Sequence, residues 1–214
     1  MGRKDKDKNK EKAAKRDDDQ NDHWNDHWND PGPSDKTLVH LERLARLMRQ
    51  QGHGHGLNPA QWEVLRYLHR ANRLSNTPGA LARYLGSTKG TVSQTLASLE
   101  AKGLVVKLVR GDDGRSVALS LSEAGSLVLQ QDGLKALGAD IDELRPKIRK
   151  RFDKAIEALL RAEVQRQGEP SFGTCATCRY FREATSNNAA YCMKVDATLP
   201  ADETALICVE QVDR

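Results

Sequence analysis

Apolar residues recur every three or four positions over residues 35–51, which predicts a first amphipathic helix. Its apolar stripe consists of Leu38, Leu41, Leu44, Ala45 and Met48. Two start signals predict the next helices. Asn58 and Thr77 are good N-caps, and each is followed by a proline, which favours the first position of a helix. The third helix is short and should stop at Gly86.

A fourth helix is predicted over residues 88–102, ending at Gly103. Its inward face consists of Val92, Leu96 and Leu99. The outward face carries small residues and Gln94, whereas a helix face exposed only to solvent more commonly carries Glu and Lys. Small residues let a backbone approach the major groove of DNA, and a glutamine amide can bind one base edge twice.

Two alternating apolar runs, residues 104–108 and 117–121, predict a β-hairpin after this helix. The charged, glycine-containing segment 110–115 joins them. Ser122 and Glu123 then open another helix. A long, charge-rich amphipathic segment follows over residues 134–167.

Helix, short helix, helix and hairpin in this order predict a winged helix-turn-helix, a mainly α fold with a β-wing (α+β). Residues 77–116 hold six basic and three acidic side chains, in a chain whose net charge is +4. Arg110 and Arg115 flank the hairpin tip, where arginine can reach phosphate or the minor groove. A local pair of Arg115 with Asp112 or Asp113 is the alternative, and it is compatible with DNA contact. The residues expected to contact DNA are Thr88, Lys89, Thr91, Ser93, Gln94, Ser98, Arg110 and Arg115.

Residues 1–33 predict a disordered basic and polar tail, because its apolar content is too low to offset the entropy of ordering. Loose attraction to nucleic-acid phosphates is the alternative role. No apolar run approaches the roughly 18 to 20 residues of a membrane helix, and no signal-peptide core follows the basic start. We therefore expect a cytoplasmic protein without a membrane partner.

Three stretches resemble the MarR family of winged-helix transcription regulators in order and spacing. They are LNPAQWEVLRYLHRAN, TPGALARYLGSTKGTVSQTLASLEAKGLV and LVRGDDGRSVALSLSEAG, within residues 57–125. The resemblance implies a homodimer formed by the N- and C-terminal helices, here 35–51 and 134–167. It also implies double-stranded DNA with a pseudo-palindromic operator as a partner, wings in the minor groove, and small-molecule effectors between the reading lobe and the dimer helices.

All four cysteines lie in the last forty residues, with the spacing C-x2-C-x13-C-x15-C. They are Cys175, Cys178, Cys192 and Cys208. Four thiolates can hold one [4Fe-4S] cluster or one Zn²⁺. Zinc ribbons usually present two C-x2-C pairs, whereas this spacing, with aromatic residues behind the first pair, is similar to the cluster segment of high-potential iron-sulfur proteins. A [4Fe-4S] cluster is therefore the expected cofactor, with Zn²⁺ as the alternative.

These observations predict a DNA-binding transcription regulator, expected to be a repressor, with residues 34–168 as the reading and dimerisation domain and 169–214 as a metal module. We expect the module to sense redox state, oxygen or iron and to act on the long helix before it. A small-molecule-responsive repressor with structural zinc is one alternative. A redox or electron-transfer protein is another, which only the cysteines favour. The sequence shows no nucleotide-binding glycine motif and no nucleophile-base set, so we do not expect an enzyme.

Overall fold

The computed structural model describes residues 32–50, 54–110, 116–169, 171–186 and 188–214. Within these ranges the chain forms seven α-helices and two small antiparallel sheets, an α+β fold. The helices are α1 (Pro33–Gln50), α2 (Pro59–Arg70), α3 (Pro78–Tyr84), α4 (Lys89–Ala101), α5 (Glu123–Leu129), α6 (Leu134–Glu143) and α7 (Pro146–Gln167). The strands are β1 (Val105–Arg110), β2 (Ser116–Leu121), β3 (Phe181–Arg182), β4 (Tyr191–Cys192) and β5 (Ala197–Thr198). The tail predicted over residues 1–33 lies outside the described residues except for its last two positions.

The two predicted N-caps of the winged helix, Asn58 and Thr77, are confirmed, and Thr88 is a third. Oδ1 of Asn58 accepts a hydrogen bond from the Gln61 backbone N–H at 2.9 Å, and Oε1 of Gln61 accepts one from the Asn58 backbone at 3.1 Å, which completes a capping box. Thr77 caps α3 and Thr88 caps α4 in the same way. These contacts fix where the three helices of the reading domain begin.

The core of residues 50–214 lies between α2, α3, α4 and the hairpin. Trp62 and Leu65 on α2, Leu96 and Leu99 on α4, and Leu119 on β2 are each no more than 1% exposed. Burying each such side chain contributes roughly 1.5–3 kcal/mol. Because one side of α4 packs in this core, its opposite side faces solvent.

The predicted hairpin is confirmed as β1 paired with antiparallel β2, with Val105 opposite Leu121. Its segment 111–115 lies outside the described residues. The backbone N–H of Leu119 donates to the carbonyl oxygen of Asn76 at 2.7 Å. The wing is thus joined directly to the connection between α2 and α3.

The amphipathic segment predicted over residues 134–167 is two helices rather than one. Arg145 has φ −50° and ψ 134°, outside the helical region, because Pro146 disfavours a helical residue before it. The sequence interpretation overlooked this proline. Neither α6 nor α7 contains a buried residue, and α7 ends at Gly168, whose φ is +65°.

The first helix, α1, belongs to a unit that is separate from the rest of the described chain. Its bounds confirm the predicted first helix to within two residues. Three of its apolar side chains, Leu38, Val39 and Leu47, are 45–60% exposed. No helix among the described residues is both long and apolar enough to cross a membrane.

Residues 171–214 form a small unit around a three-stranded sheet of two-residue strands in the order β3, β4, β5. Its apolar cluster contains Cys175, Cys192, Ala190 and Leu199, with aromatic side chains packed against them. Two short 3-10 turns, Cys175–Thr177 and Ala201–Glu203, complete it. This unit is referred to below as the cysteine module.

Gly125→Ala should destabilise the fold, because a Cβ on this α5 residue would lie 2.1 Å from the carbonyl oxygen of Leu104. Overpacking of this kind costs about 1–3 kcal/mol or more. Gly138→Ala on α6 is the matched control, since its Cβ meets no atom within 4 Å and should stabilise the helix by about 0.5–1 kcal/mol. Urea unfolding of both variants tests the pair. Equal free energies of unfolding would contradict this packing of α5.

Candidate functional site

The outward face of α4 is the first candidate site. The six predicted DNA-contact residues on and before this helix, Thr88, Lys89, Thr91, Ser93, Gln94 and Ser98, are all exposed. On the opposite side Val92, Leu96 and Leu99 are 2% exposed or less, which confirms the predicted inward face. The six residues are therefore accessible to solvent around α4, outside its buried stripe.

The start of α4 is fixed by its threonines. Oγ1 of Thr88 accepts a hydrogen bond from the Thr91 backbone N–H at 3.1 Å, and the two hydroxyl oxygens are 2.9 Å apart. Neither Lys89 nor Gln94 forms a side-chain hydrogen bond with another described residue. The amino end of α4 thus combines a positive side chain with the positive end of the helix dipole, which favours an anion.

Ser98 differs from the other five residues because it also holds α4 against α2. Nε2 of the buried Gln61 donates to its Oγ at 2.9 Å. The ammonium group of Lys102 donates to Oε1 of Gln61 at 3.3 Å and to the Gly56 carbonyl at 2.5 Å. Sequence reasoning missed Gln61, whose only signal was its place three residues after an N-cap.

The two predicted arginines of the wing are at the edge of the described residues. Arg110 is the last residue of β1, where its backbone pairs with Ser116. Arg115 lies in the segment 111–115, outside the described residues. Their contribution to DNA binding stays a prediction.

The second candidate site is the set of four cysteines. Their thiols are 6–8% exposed, and none forms a disulfide. The four cysteines lie on different backbone segments of the module. The Cys178 N–H donates to the Cys175 carbonyl at 3.0 Å, Cys192 lies on β4, and the Cys208 N–H donates to the Gly173 carbonyl at 2.8 Å.

The four thiols are close enough to influence one another. Burial, followed by the charges of Cys208, Cys178 and Cys192, raises the pKa of Cys175 to about 11. Burial also raises the pKa of Cys208, whereas the nearby Asn72 side chain and Glu210 backbone lower it. As they stand, no three or more His, Cys, Asp or Glu side chains in the described part of the chain are arranged to hold a metal ion.

Asn72 is a site residue that sequence reasoning missed. It follows α2 by two residues and is 1% exposed. Its Nδ2 has no hydrogen-bond partner among the described residues, and the side chain lies near Cys208. An isolated asparagine after a helix gave no sequence signal of proximity to a thiol 136 positions away.

Met193 and the aromatic residues near the cysteines differ in how far they are buried. Tyr180 and Phe181 pack on the apolar cluster of the module. The Met193 side chain is 51% exposed and so does not shield the thiols. The aromatic residues therefore serve as core.

An open cleft of about 760 Å³ lies between α2, α5 and α6. A partly buried ion pair forms part of its wall, in which Nε of Arg66 is 2.6 Å from Oδ2 of Asp132. Apolar side chains of Leu129, Leu134 and Leu206 line it as well, but most of its lining residues are polar or charged.

Residues 55–116 match the sequence model of the MarR family. The structure is similar to a MarR transcriptional regulator from Methanosarcina mazei Go1, with 19% identity over 61% of this chain and 95% of that one and a TM-score of 0.49. It is also similar to MepR of S. aureus in a DNA complex (19% identity, 58% and 96% covered, TM-score 0.47) and to wild-type apo MarR of E. coli (21% identity, 58% and 96% covered, TM-score 0.45). No curated protein matches the chain. Over residues 55–116 the chain is thus similar in sequence to the MarR family.

Proposed function

We propose that this protein is a sequence-specific DNA-binding transcription regulator, acting as a repressor, that reads its operator with α4. The proposal rests on helix α4. Its exposed side carries small and polar residues, and its opposite side packs in the core. In this proposal residues 34–168 read DNA and dimerise, and residues 169–214 form the input module.

Each residue on α4 has a role in this proposal. Lys89 and the helix amino terminus bind phosphate, which sets the register on the duplex. Gln94 contacts a base edge in the major groove, while Thr88, Thr91 and Ser93 supply hydroxyl groups beside it. The wing arginines, Arg110 and Arg115, contact the backbone or the adjacent minor groove.

A second copy of the chain is the proposed partner of α7. Five large apolar side chains repeat along one face of this helix with exposures of 37–62%: Ile148, Phe152, Ile156, Leu159 and Leu160. A continuous apolar stripe at helical spacing is unfavourable in water and is typical of an interface. The exposed stripe of α1 supports the same conclusion. A twofold dimer would present two α4 helices to a pseudo-palindromic operator.

We further propose that the four cysteines hold a [4Fe-4S] cluster, with Zn²⁺ as the alternative. Two features support a metal site: the four cysteines are buried neighbours, and none of them forms a disulfide. A cubane gives each thiolate its own iron, so its ligands surround a larger group than one ion. Such a group would make the module sensitive to oxygen, redox state or iron, and DNA binding would respond.

A repressor that responds to a small molecule and carries structural zinc is the second candidate function. The cleft beside the Arg66–Asp132 pair favours it, because most of the residues that line the cleft belong to α2, α5 and α6. The metal content of the protein separates the two candidates.

Gln94→Ala should relax preference at one base pair of the operator at a cost of roughly 1–3 kcal/mol, whereas Lys89→Ala should weaken binding to all sequences and lower the salt slope by about 1. Fluorescence anisotropy with operator variants at several salt concentrations measures both effects. Lys135→Ala on α6 is the control for loss of one exposed lysine. Wild-type binding by both α4 variants would mean that α4 is not the reading helix.

Leu160→Glu should convert the dimer to a monomer, because it places a charge in the apolar stripe of α7. Light scattering coupled to size-exclusion chromatography measures the mass. Lys150→Glu is the control, since Lys150 is exposed and lies two residues after Ile148, on the other side of the helix. A Leu160→Glu variant that stays dimeric would exclude this face as the interface.

Protein purified without oxygen should contain iron and acid-labile sulfide and absorb visible light, and Cys192→Ser should lose all three properties. Met193→Leu, which changes an exposed neighbour, should retain them. Elemental analysis makes the measurement. Zinc without iron would favour the alternative, and absence of any metal would contradict the site. Operator affinity before and after metal removal then distinguishes sensing from a structural role.

A further inference from the structure

The cysteine module is docked on the end of α2 and on the turn that follows it. The Ile207 N–H donates to the Arg70 carbonyl at 2.6 Å, and the Ile207 carbonyl accepts from the Asn72 N–H at 3.0 Å. Arg70 is the last residue of α2, where a carbonyl has no partner within its own helix. The Ile207 side chain also packs against the core of the winged helix. One residue of the module therefore completes the end of α2.

Ser75 joins the turn to the same segment of the module. This residue is fully buried, and its hydroxyl oxygen accepts a hydrogen bond from the Val209 N–H at 2.7 Å while donating to Oδ1 of Asn72 at 2.8 Å. The Ser75 carbonyl accepts from the Tyr67 hydroxyl of α2 at 2.7 Å and from the Thr77 N–H at 2.8 Å. Because Thr77 caps α3, one buried serine connects the module, α2 and the start of α3.

Side chains of the turn and of α3 extend this contact. Nη2 of Arg73 in the turn donates to the Thr198 carbonyl at 2.7 Å, and its Nη1 lies 3.4 Å from Oε2 of Glu203. The ring of Tyr84 on α3 meets the ring of Phe172 edge to face, with centroids 5.0 Å apart. The module thus contacts the end of α2, the turn and α3.

The turn is also bonded to the wing and lies beside the reading helix. The carbonyl of Asn76 accepts a hydrogen bond from the Leu119 N–H of β2 at 2.7 Å. One groove is lined by Thr77, by Lys89 at the start of α4 and by Glu210 of the module. Release of the module would leave buried polar groups of the turn without partners, which is unfavourable, so the turn would rearrange. Such a rearrangement reaches the wing, α3 and the start of α4.

The long helix is a weaker connection than the sequence interpretation expected. Nε of Arg161 on α7 lies 3.9 Å from Oδ2 of Asp213, and both side chains are about half exposed. Ion pairs of this kind contribute little because water and salt screen them. The hydrogen bond between Val209 and Ser75 is buried by comparison.

We propose that the cysteine module is a docked regulatory element of the helix-turn-helix. With residues 207–209 in place on the α2–α3 turn, α3 and α4 are held in the arrangement that reads DNA, and release of the module weakens operator binding. This inference rests on the reading role proposed for α4, and it requires no metal at the cysteines. By thermodynamic linkage, an operator that binds the docked state more tightly also stabilises docking by the same factor.

Ile207→Ala tests the docking from the module side, because it shortens a side chain that packs on the winged-helix core and leaves the sequence of that core unchanged. The probe is an operator selected from random-sequence duplexes with the full-length wild-type protein. We expect the variant to bind this operator about 5-fold or more weakly. Met193→Ala is the matched control, since it shortens a half-exposed apolar side chain of the module, and it should bind as wild type does.

Amide hydrogen exchange of the variant shows whether docking itself has changed. The Val209 amide should exchange faster than in wild type, while the Leu65 amide in the core of α2 should exchange at the wild-type rate. Wild-type operator affinity in a variant with a fast Val209 amide would overturn the proposal, because release would then have no effect on reading.

Hydrogen exchange of the unsubstituted protein provides a second test that does not depend on a variant folding. The selected operator should slow exchange of the Ile207 and Val209 amides by at least the factor that Ile207→Ala loses in affinity, because the operator favours the docked state. A duplex of the same length and concentration with a scrambled sequence is the control and should leave both rates close to those of the free protein. Equal rates with and without operator would overturn the proposal.

The outcomes separate this inference from the function proposed above. Wild-type protein that prefers no DNA sequence overturns both. Sequence-specific binding by wild type, combined with equal exchange rates with and without operator, overturns this inference and leaves the reading role of α4 intact. Weaker binding by Ile207→Ala together with operator-dependent exchange supports both.

Discussion

Two buried polar residues in the α2–α3 turn, Asn72 and Ser75, are the constraint on which the arrangement of this chain depends. They are 1% and 0% exposed, and buried polar groups are costly unless they are hydrogen-bonded. Their partners come from α2, from the turn itself and from the segment around Cys208. The need to satisfy these groups fixes the module against the reading domain.

This constraint places the two candidate sites of the protein in one structural unit. The core around Trp62 holds the polar face of α4 toward solvent. Of the four cysteines, Cys208 is flanked by residues that hydrogen-bond directly to the turn before α3. The apolar face of α7 has a separate role, because its side chains find no cover within the described chain.

Much of the reading domain was predictable because its signals are local. Asn58, Thr77 and Thr88 mark helix starts by chemistry that depends on three neighbouring residues, and the inward face of α4 follows from helical spacing. The break at Pro146 was equally local and was overlooked. Ser98 was predicted as a DNA contact, but only the packing of α4 on α2 reveals its bond to Gln61.

The sequence by itself determined the helix order, the hairpin, the exposed polar face of α4 and the grouping of the cysteines. Each of these follows from the hydrophobic periodicity, the N-cap residues or the cysteine spacing within a continuous segment. Only the tertiary structure decided that Cys208 lies beside Asn72 and that the module bonds to the helix-turn-helix rather than mainly to α7. Contacts between residues 136 positions apart depend on which buried hydrogen-bonding groups satisfy each other. No local pattern carries that information, because the partners meet only after the core has formed.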